Sequence, residues 1–293
     1  MAQLPSAEVF VDLFCGGGAI THRAMLTGKY KRFIMNDIDG RLPRLFKDCA
    51  YGKYTVENHP EWVSRAEFNA KRDEDAYIAL VWSFGNNGKD YIYGEDIEDF
   101  KHDYHIAVFE NKPQLLEKWG YKIKGTDAPN PYDRYLFFNA QIKRIARSDL
   151  DSIVRQIEIE RLQSLQSLQR LQSLQSLQSL QSDYQDVEIP QGALIYCDVP
   201  YSSTNCGKYQ GFDSERFYRW AEQKDNIFIS EYQMPDDFIC IAQTEKVVLS
   251  AANGNSAKAT ERLFTNRRTF DALPPHLKEI YRMNTAEQMT LFT

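Results

Sequence analysis

The sequence predicts an α/β fold with a mostly parallel sheet, a terminal β-hairpin and a mainly helical insertion. Short apolar runs at Val9–Phe14 and Phe33–Met35 are each followed by a helical pattern, which is typical of the opening of a parallel sheet. A third run, Leu194–Cys197, is mostly apolar and indicates a strand buried on both faces. The long stretch between the second and third runs has helical periodicity and is assigned to the insertion.

The first two predicted strands lead into helices. Val9–Phe14 runs into the glycine-rich turn Cys15–Gly18, and the helix after it is predicted to continue to about Leu26. Phe33–Met35 is followed by a helix predicted from Arg41 to about Cys49. We predict one domain formed by residues 1–50 and 183–275. Residues 51–182 form an insertion between these two parts, and residues 276–293 form a C-terminal tail.

The glycine-rich turn indicates a ligand that approaches the backbone closely. A dinucleotide fingerprint would need glycine at position 21, where Thr21 stands, so a nicotinamide or flavin cofactor is disfavoured. Asp37 follows Gly18 by about 20 positions, the spacing of an acid that binds ribose hydroxyls. The alternative for Asp37 is a helix N-cap or a turn residue.

The insertion ends in a Leu-Gln-Ser repeat at residues 161–182. Each three-residue step turns an α-helix by about 300°, so the leucines drift around the helix and no single buried face can hold them. A 3₁₀ helix would align them, but long 3₁₀ helices are uncommon. We predict an α-helix that begins near Leu150 and ends before Asp183, with some leucines partly exposed, in a connector.

The second part of the domain is predicted to alternate again between strands and helices. A helix is expected at Ser214–Gln223 and a strand at Ile227–Ser230. An antiparallel pair, Phe238–Ala242 with Lys246–Ser250, is expected next, and Glu261–Phe264 closes the domain.

The segment Asp198-Val199-Pro200-Tyr201 stands where the Leu194 strand ends, the position at which open α/β sheets bind ligands. The Asp198 carboxylate can accept a hydrogen bond from an exocyclic amine. Pro200 holds Val199 in extended backbone, which can turn the Val199 carbonyl toward the same amine. Tyr201 offers a ring on which a base can stack. The alternative is a strand end followed by an ordinary proline turn.

Composition narrows the class of protein. The chain has 35 Lys and Arg against 41 Asp and Glu, so it lacks the basic excess of many duplex-binding proteins. Its five cysteines include no Cys-x-x-Cys pair, which argues against a disulfide framework or a zinc ribbon and favours a reducing cytoplasm. No signal-like or membrane-length apolar segment occurs, so we expect a soluble, cytoplasmic protein.

Phe14–Gly18 and Asp198–Tyr201, in this order and with an insertion between them, resemble the two signature motifs of DNA adenine-N6 methyltransferases of the α group, the Dam-like enzymes. The resemblance implies a Rossmann-like methyltransferase fold, S-adenosylmethionine as cofactor, no metal, and DNA as the partner whose adenine is flipped into the site. It places a target-recognition region in the insertion. The implied catalytic residues are Asp198, Val199, Pro200 and Tyr201. The implied cofactor-binding residues are Asp12, Phe14, Gly16, Gly18, Asp37 and Asp183.

The chain departs from this family in two places. Val199 stands where the family has its first proline, although valine keeps the backbone carbonyl. The family's Lys-Trp-x-Gly-Gly-Lys segment is missing before the first strand, and Trp82–Lys89 is a candidate replacement.

Several alternatives stay open at this point. A cytosine-C5 methyltransferase is disfavoured because no Pro-Cys pair occurs. Methylation of RNA or protein on the same fold, and a catalytically inactive DNA-binding relative, are not excluded. The sequence does not distinguish a restriction-modification enzyme from a phage enzyme.

The segment Gln288–Phe292 resembles the Gln-Leu-(Ser/Asp)-Leu-Phe peptide with which bacterial proteins dock on the replication sliding clamp. Two adjacent apolar anchors can fill a hydrophobic groove. The alternative is a C-terminal segment folded back on the domain.

Overall fold

The structure is a computed structural model that describes residues 4–59, 61–146, 155–171, 176–200, 212–249 and 256–290. It divides into two compact units. Met1–Pro43 and Leu174–Thr293 form the sheet unit, and Arg44–Ser173 form the helical unit. The predicted insertion, 51–182, overlaps most of the helical unit, but its last residues include a strand of the sheet.

The sheet unit is built on seven strands. They are β1 Val9–Asp12, β2 Arg32–Asn36, β3 Ser176–Leu180, β4 Leu194–Asp198, β5 Ile227–Glu231, β6 Phe238–Leu249 and β7 Ser256–Asn266. Their order in the sheet is β3-β2-β1-β4-β5-β7-β6. The first five strands in that order pair in parallel, whereas β7 is antiparallel to both β5 and β6. The predicted α/β fold with a mostly parallel sheet and an antiparallel hairpin is therefore confirmed.

The central strands are apolar because both faces of the sheet are covered. All residues of β1 and β5 are buried. On one face, side chains such as Val11, Ile195 and Ile229 pack with Phe217 of the helix Ser214–Ala221. On the other face, the ring of Phe10 lies 4.8 Å from the Tyr30 ring and 5.9 Å from the Phe33 ring, measured between centroids. These contacts explain why β1, β2 and β4 could be located from apolar runs.

The predicted pairing of Phe238–Ala242 with Lys246–Ser250 is wrong. Residues of both segments belong to one strand, β6, whose antiparallel partner is β7. The predicted segment Glu261–Phe264 lies inside β7. The polar residues Gln243–Lys246 resemble a turn in the sequence, but β6 lies at the edge of the sheet, where polar residues are tolerated within a strand.

Two helices follow β7, and the second of them occupies most of the predicted C-terminal tail. The helix Arg267–Ala272 begins at Asn266, whose side-chain oxygen accepts a hydrogen bond from the Thr269 N–H at 2.7 Å. The helix Pro275–Thr290 follows, packs against β6 and buries Tyr281. The described portion of the predicted tail is therefore folded back on the sheet unit.

The helical unit contains six α-helices and three 3₁₀ helices among its described residues. The α-helices are Arg41–Ala50 (which begins in the sheet unit), Arg65–Lys71, Ala76–Val81, Glu95–Phe109, Pro131–Ala146 and Ile157–Gln166. The 3₁₀ helices are Phe84–Asn86, Pro113–Trp119 and Ser167–Leu171. Aromatic residues make up slightly less than half of the buried side chains in the two apolar clusters of this unit. None of the described helices is long and apolar enough to cross a membrane.

The Leu-Gln-Ser repeat adopts three conformations instead of one. Its first copies continue the helix Ile157–Gln166, the next form the 3₁₀ helix Ser167–Leu171, and the last form β3. The loss of helical form before Asp183 is as predicted, whereas the strand was not predicted. Each conformation spans only a few residues, and one described leucine of the repeat is buried in each: Leu162 in the α-helix, Leu171 in the 3₁₀ helix and Leu177 in β3. Residues 172–175 lie outside the described part.

Candidate active site

A buried acid ends β1. Asp12 is fully buried, and its Oδ2 accepts a hydrogen bond of 2.7 Å from the Thr21 hydroxyl. Within the described residues, Oδ1 of Asp12 has no hydrogen-bond partner. A carboxylate with so little solvation is costly to ionise.

The surroundings of Asp12 raise its pKa to about 7. Burial is the largest cause, the hydrogen bond from Thr21 acts in the opposite direction, and the negative charges of Asp198 and Asp37 add to the rise. Asp12 therefore exchanges its proton near neutral pH. The influence of both other carboxyls also indicates that the three acids lie near one another at one edge of the sheet.

The glycine turn after β1 has an open side. Gly16 and Gly18 have φ angles of +47° and +80°, which lie in the left-handed region that favours glycine. Within the described part of the chain, no atom lies within 4 Å of the position that a Cβ would take at Gly16 or Gly17. A ligand can therefore approach this backbone closely, which suits the cofactor implied by the sequence.

Two side chains at the end of β2 hold this turn in place. The Asn36 amide donates hydrogen bonds to the Leu13 carbonyl at 3.1 Å and to the Ser182 carbonyl at 3.0 Å. The Asp37 carboxylate accepts hydrogen bonds of 2.9 Å from the backbone N–H groups of Gly16 and Asp39.

Asp37 is therefore a turn residue, which was one of the two expectations for it. A carboxylate has about four lone-pair sites, so these bonds do not by themselves prevent a ribose contact. That contact stays a prediction.

The end of β4 lies directly beside the end of β1. From β1 the chain continues to β2 and β3 on one side, and from β4 it continues to β5 on the other. Open α/β sheets bind ligands at such a reversal, outside the carboxyl ends of the strands. The glycine turn and the corner Asp198–Pro200 therefore flank the position at which this fold accepts a ligand.

Asp12 and Asp198 project from the same face of the sheet. Asp12 pairs in register with Tyr196, and Asp198 is two residues farther along β4, a distance of about 7 Å. Ser230 of β5 pairs with Asp198, and its hydroxyl donates a hydrogen bond of 3.1 Å to Glu261. Asp198 is only partly buried, so this face carries one enclosed acid and one acid near its edge.

Val199 is buried in the apolar cluster on the other face of the sheet. Its side chain therefore contributes to packing, which is a reason for an aliphatic residue at this position.

Two other predicted cofactor residues are engaged within the protein. Phe14 packs edge-on against the Phe217 ring, with centroids 5.7 Å apart, and thus belongs to the core. Asp183 follows β3. Its Oδ1 accepts a hydrogen bond of 2.9 Å from the Gln185 N–H, and its Oδ2 lies 3.2 Å from Nη1 of Arg216. Contacts of Phe14 and Asp183 with a cofactor stay predictions.

The structure does not describe one predicted motif residue, and it places one predicted segment in the helical unit. Tyr201 lies outside the described residues. Trp82–Lys89, the candidate replacement for the missing N-terminal segment, belongs to the helical unit, and the Trp82 side chain is buried. Its proposed cofactor contacts stay a prediction.

The described cysteines near the strand ends are unsuited to nucleophilic attack. Burial is the main cause that raises the pKa of the Cys15 and Cys197 thiols well above the usual value. A thiol nucleophile must be ionised to attack. This agrees with the lack of the Pro-Cys pair that a cytosine-C5 methyltransferase uses.

Thr21 and Asn36 were not identified as site residues from the sequence. In the sequence, Thr21 only interrupts a dinucleotide fingerprint, but in the structure its hydroxyl donates a hydrogen bond to Asp12. Asn36 directly follows an apolar strand, and a polar side chain at such a position signals a structural hydrogen bond at the strand end.

Comparison with known proteins agrees with this geometry. Residues 1–268 match the model of the D12 class N6 adenine-specific DNA methyltransferase family. A search of the curated proteins finds none that matches the chain.

Proposed function

The chain belongs to the D12 class N6 adenine-specific DNA methyltransferase family, and we propose that the corner Asp198–Pro200 holds the amine of its target base. The protein is an enzyme that uses S-adenosylmethionine to methylate N6 of adenine in DNA. The observation that carries the proposal is the position of this corner beside the glycine turn, at the reversal of the strand order.

S-adenosylmethionine, when bound, supplies a methyl group already activated by its sulfonium charge, so we propose that the reaction uses no metal. We assign cofactor binding to the open side of the glycine turn, at Gly16 and Gly17, and propose that Gly18, whose positive φ shapes the turn, also contacts the cofactor. Asp37 supports this turn through the Gly16 N–H and is proposed to bind the ribose. Asp12, Phe14 and Asp183 are proposed to complete the cofactor site.

We assign activation of the amine to Asp198 and the Val199 carbonyl. The lone pair of an aminopurine nitrogen is delocalised into the ring and attacks poorly in that form. Hydrogen bonds from N6 to the Asp198 carboxylate and the Val199 carbonyl would favour a tetrahedral nitrogen with a localised lone pair. The carboxylate also stabilises positive charge that develops on that nitrogen during transfer.

The neighbouring residues position the base. Pro200 restricts Val199 to extended backbone, which keeps its carbonyl turned toward the amine. Extrusion of adenine from the duplex costs a few kcal/mol, and stacking on Tyr201 offsets part of this cost. Base extrusion and the Tyr201 contact are proposals that rest on the motif.

Replacement of Asp198 tests this assignment. Asp198→Ala should reduce methyl transfer at least about 10³-fold, while cofactor affinity stays within about twofold of wild type, because the substitution removes an acceptor used only by the base. Asp198→Asn keeps one acceptor oxygen and should retain more activity than Asp198→Ala. An active Asp198→Ala enzyme would refute the assignment.

We also propose that Gln288–Phe292 docks on the replication sliding clamp. The support is the two adjacent apolar residues that follow a glutamine at the spacing of a groove-binding peptide. Gln288 lies in the helix Pro275–Thr290, so docking would use a segment that continues from that helix. Pull-down with the clamp should recover the full chain but not a chain ending at Ala286. Equal recovery of both chains ends this proposal.

A further inference from the structure

The helical unit contains a pocket of about 790 Å³. All of its lining residues lie between Arg65 and Ile157, within this unit. Its floor is formed by apolar and aromatic residues that include Tyr91, Tyr93 and Ile97. The volume falls in the range of sites that hold a small molecule or a segment of a larger ligand.

One wall of the pocket is a helix face with polar and cationic side chains. Arg65, Asn69 and Arg72 all line the pocket and have the spacing i, i+4 and i+7, which places them on one side of the helix Arg65–Lys71 and its C-terminal cap. Along the helix axis, Arg65 and Arg72 are separated by about 10 Å. Two cations this far apart are better suited to successive charges along a chain than to one small anion.

The two guanidinium groups of this wall are held in place. Arg65 donates hydrogen bonds of 2.8 Å to Glu98 and to the Tyr93 carbonyl, and it lies over the Tyr91 ring at 4.9 Å from the centroid. Arg72 donates a hydrogen bond to the Lys89 carbonyl. Such fixed positions lower the entropy cost of binding an anion.

Beside this helix face, in contact with Arg72 through the Lys89 carbonyl, is a turn that presents two exposed side chains, Phe84 and Lys89. A bridge between Ser83 and Tyr91 closes this turn, and the Asn87 side chain accepts a hydrogen bond of 2.8 Å from the Lys89 N–H. Phe84 remains 66% exposed. The Lys89 side chain is thus displayed at the mouth of the pocket from a fixed turn.

The charge of the pocket differs from that of the whole chain. Its lining includes four cationic residues, Arg65, Arg72, Lys89 and Lys101, and one acidic residue, Asp90. Glu98 pairs with Arg65, and the buried Lys101 lies near Glu158, so the cationic character of the lining depends on Arg72 and Lys89. The chain as a whole has a net charge of −6. A local cationic surface on an acidic protein indicates a polyanionic ligand.

We propose that this pocket binds the sugar-phosphate backbone of the substrate DNA. The inference rests on the DNA methyltransferase activity and adds a contact surface to it. The axial separation of Arg65 and Arg72 is larger than one phosphate group, so their guanidinium groups would contact different phosphates. Lys89 contacts the same backbone from the turn that adjoins Arg72. Such contacts position the duplex without reading its sequence.

Two substitutions at exposed lining residues test the proposal with the full chain. Lys89→Gln removes a charge, and Asn69→Asp adds a negative charge to the cationic wall. Binding of a labelled adenine-containing duplex is measured by fluorescence anisotropy over a range of KCl concentrations. Lys89→Gln should weaken binding several-fold and reduce the slope of log K against log salt by about 0.9, the value for one phosphate contact. Asn69→Asp should weaken binding at least about fivefold at low salt.

The matched control is Lys124→Gln, at an exposed lysine of the same unit that does not line the pocket. It should have wild-type affinity and slope. For Lys89→Gln, the KM for DNA should rise, while kcat at saturating DNA and the KM for S-adenosylmethionine stay within about twofold and thermal unfolding matches wild type. This separation of KM from kcat is not expected of a variant that merely misfolds. An unchanged KM for the cofactor separates a DNA contact from the cofactor contact considered for Trp82–Lys89.

Wild-type affinity and salt slope in both pocket variants would overturn the proposal. Inorganic phosphate and adenosine monophosphate are tested as alternative ligands. If either binds wild type and loses affinity in the variants while duplex binding is unchanged, the pocket holds a free anion and the proposal is overturned. Failure of the assigned catalytic site has a different signature, namely normal salt-dependent duplex binding together with Asp198→Ala that retains full activity.

Discussion

Asp12 and Asp198 end adjacent parallel strands on the same face of one sheet, but their environments differ. Asp12 is fully buried behind the glycine turn, and its surroundings raise its pKa to about 7. Asp198 is partly exposed where β4 ends. The comparison teaches that residue type and strand position do not fix the role of an acid. Asp12 is enclosed and has a raised pKa, whereas the Asp198 side chain is partly exposed, which is why the contact with the target amine is proposed for Asp198.

The raised pKa of Asp12 at the end of β1 should make the free energy of unfolding depend on pH, and this is the largest effect that we predict. Asp12 releases its proton near pH 3.8 when the chain is unfolded and near pH 7 when it is folded. Between these values the folded state binds more protons, so each rise of one pH unit costs the folded state about 1.4 kcal/mol. This contribution is fully favourable below about pH 3.8 and is lost as the pH rises to about 7.

Asp12→Asn replaces the titrating carboxyl group by an amide that does not ionise, and therefore tests the predicted pH dependence. Urea unfolding of wild type and variant at pH 5 and pH 7 should show that the stability difference shifts in favour of the variant by roughly 2 kcal/mol at pH 7. Taking the difference between the two proteins cancels the contributions of other titrating groups. A difference that does not change with pH would contradict a raised pKa for Asp12.

Gly17→Ala tests the β1 end as a cofactor surface. Because a Cβ at Gly17 would meet no described atom within 4 Å and needs no left-handed backbone, the free energy of unfolding should change by less than about 0.5 kcal/mol. The added methyl group occupies the space assigned to the cofactor, so the Kd for S-adenosylmethionine should rise at least about tenfold. Isothermal titration calorimetry measures this constant.

The control for this substitution is Gly125→Ala in the helical unit, where an added Cβ makes ordinary contacts of 3.7 and 3.8 Å. It should leave the Kd for S-adenosylmethionine unchanged. If Gly17→Ala also binds with wild-type affinity, the cofactor does not lie on the open side of the turn.

Val199→Pro is expected to have the smallest effect and tests the β4 end. The assigned role of position 199 belongs to its backbone carbonyl, which proline retains, so kcat should stay within about threefold of wild type. The buried Val199 side chain packs in the core, and its replacement should cost about 1 kcal/mol in unfolding free energy. Steady-state kinetics and urea unfolding measure the two effects. A large gain in kcat would instead identify Val199 as an impairment.

The sequence predicts the parts of this molecule in which local pattern and burial agree. β1, β2, β4 and β5 were located within two residues because strands buried on both faces form short apolar runs. The edge strands β3 and β6 were missed or divided, because Ser176–Leu180 and Gln243–Lys246 contain polar residues that resemble a connector or a turn.

The site residues were found from motifs, but their environments were not. The motif does not specify that Thr21 donates to Asp12, because this bond depends on how the helix Ala19–Met25 packs on β1. Nor does it indicate that Asp183 engages Arg216, a residue far along the chain. Burial and long-range contacts arise only when the sheet assembles, so pKa shifts such as that of Asp12 require the structure.

The most direct measurement of the central claim uses S-adenosylmethionine labelled on its methyl group. Wild-type protein is incubated with the labelled cofactor and DNA of mixed sequence, and the DNA is then digested to nucleosides. We predict that the label is recovered as N6-methyladenine, because the acid at the end of β4 is assigned to an amine nucleophile. Label recovered on cytosine C5, or DNA that stays unlabelled while the cofactor binds normally, would contradict it.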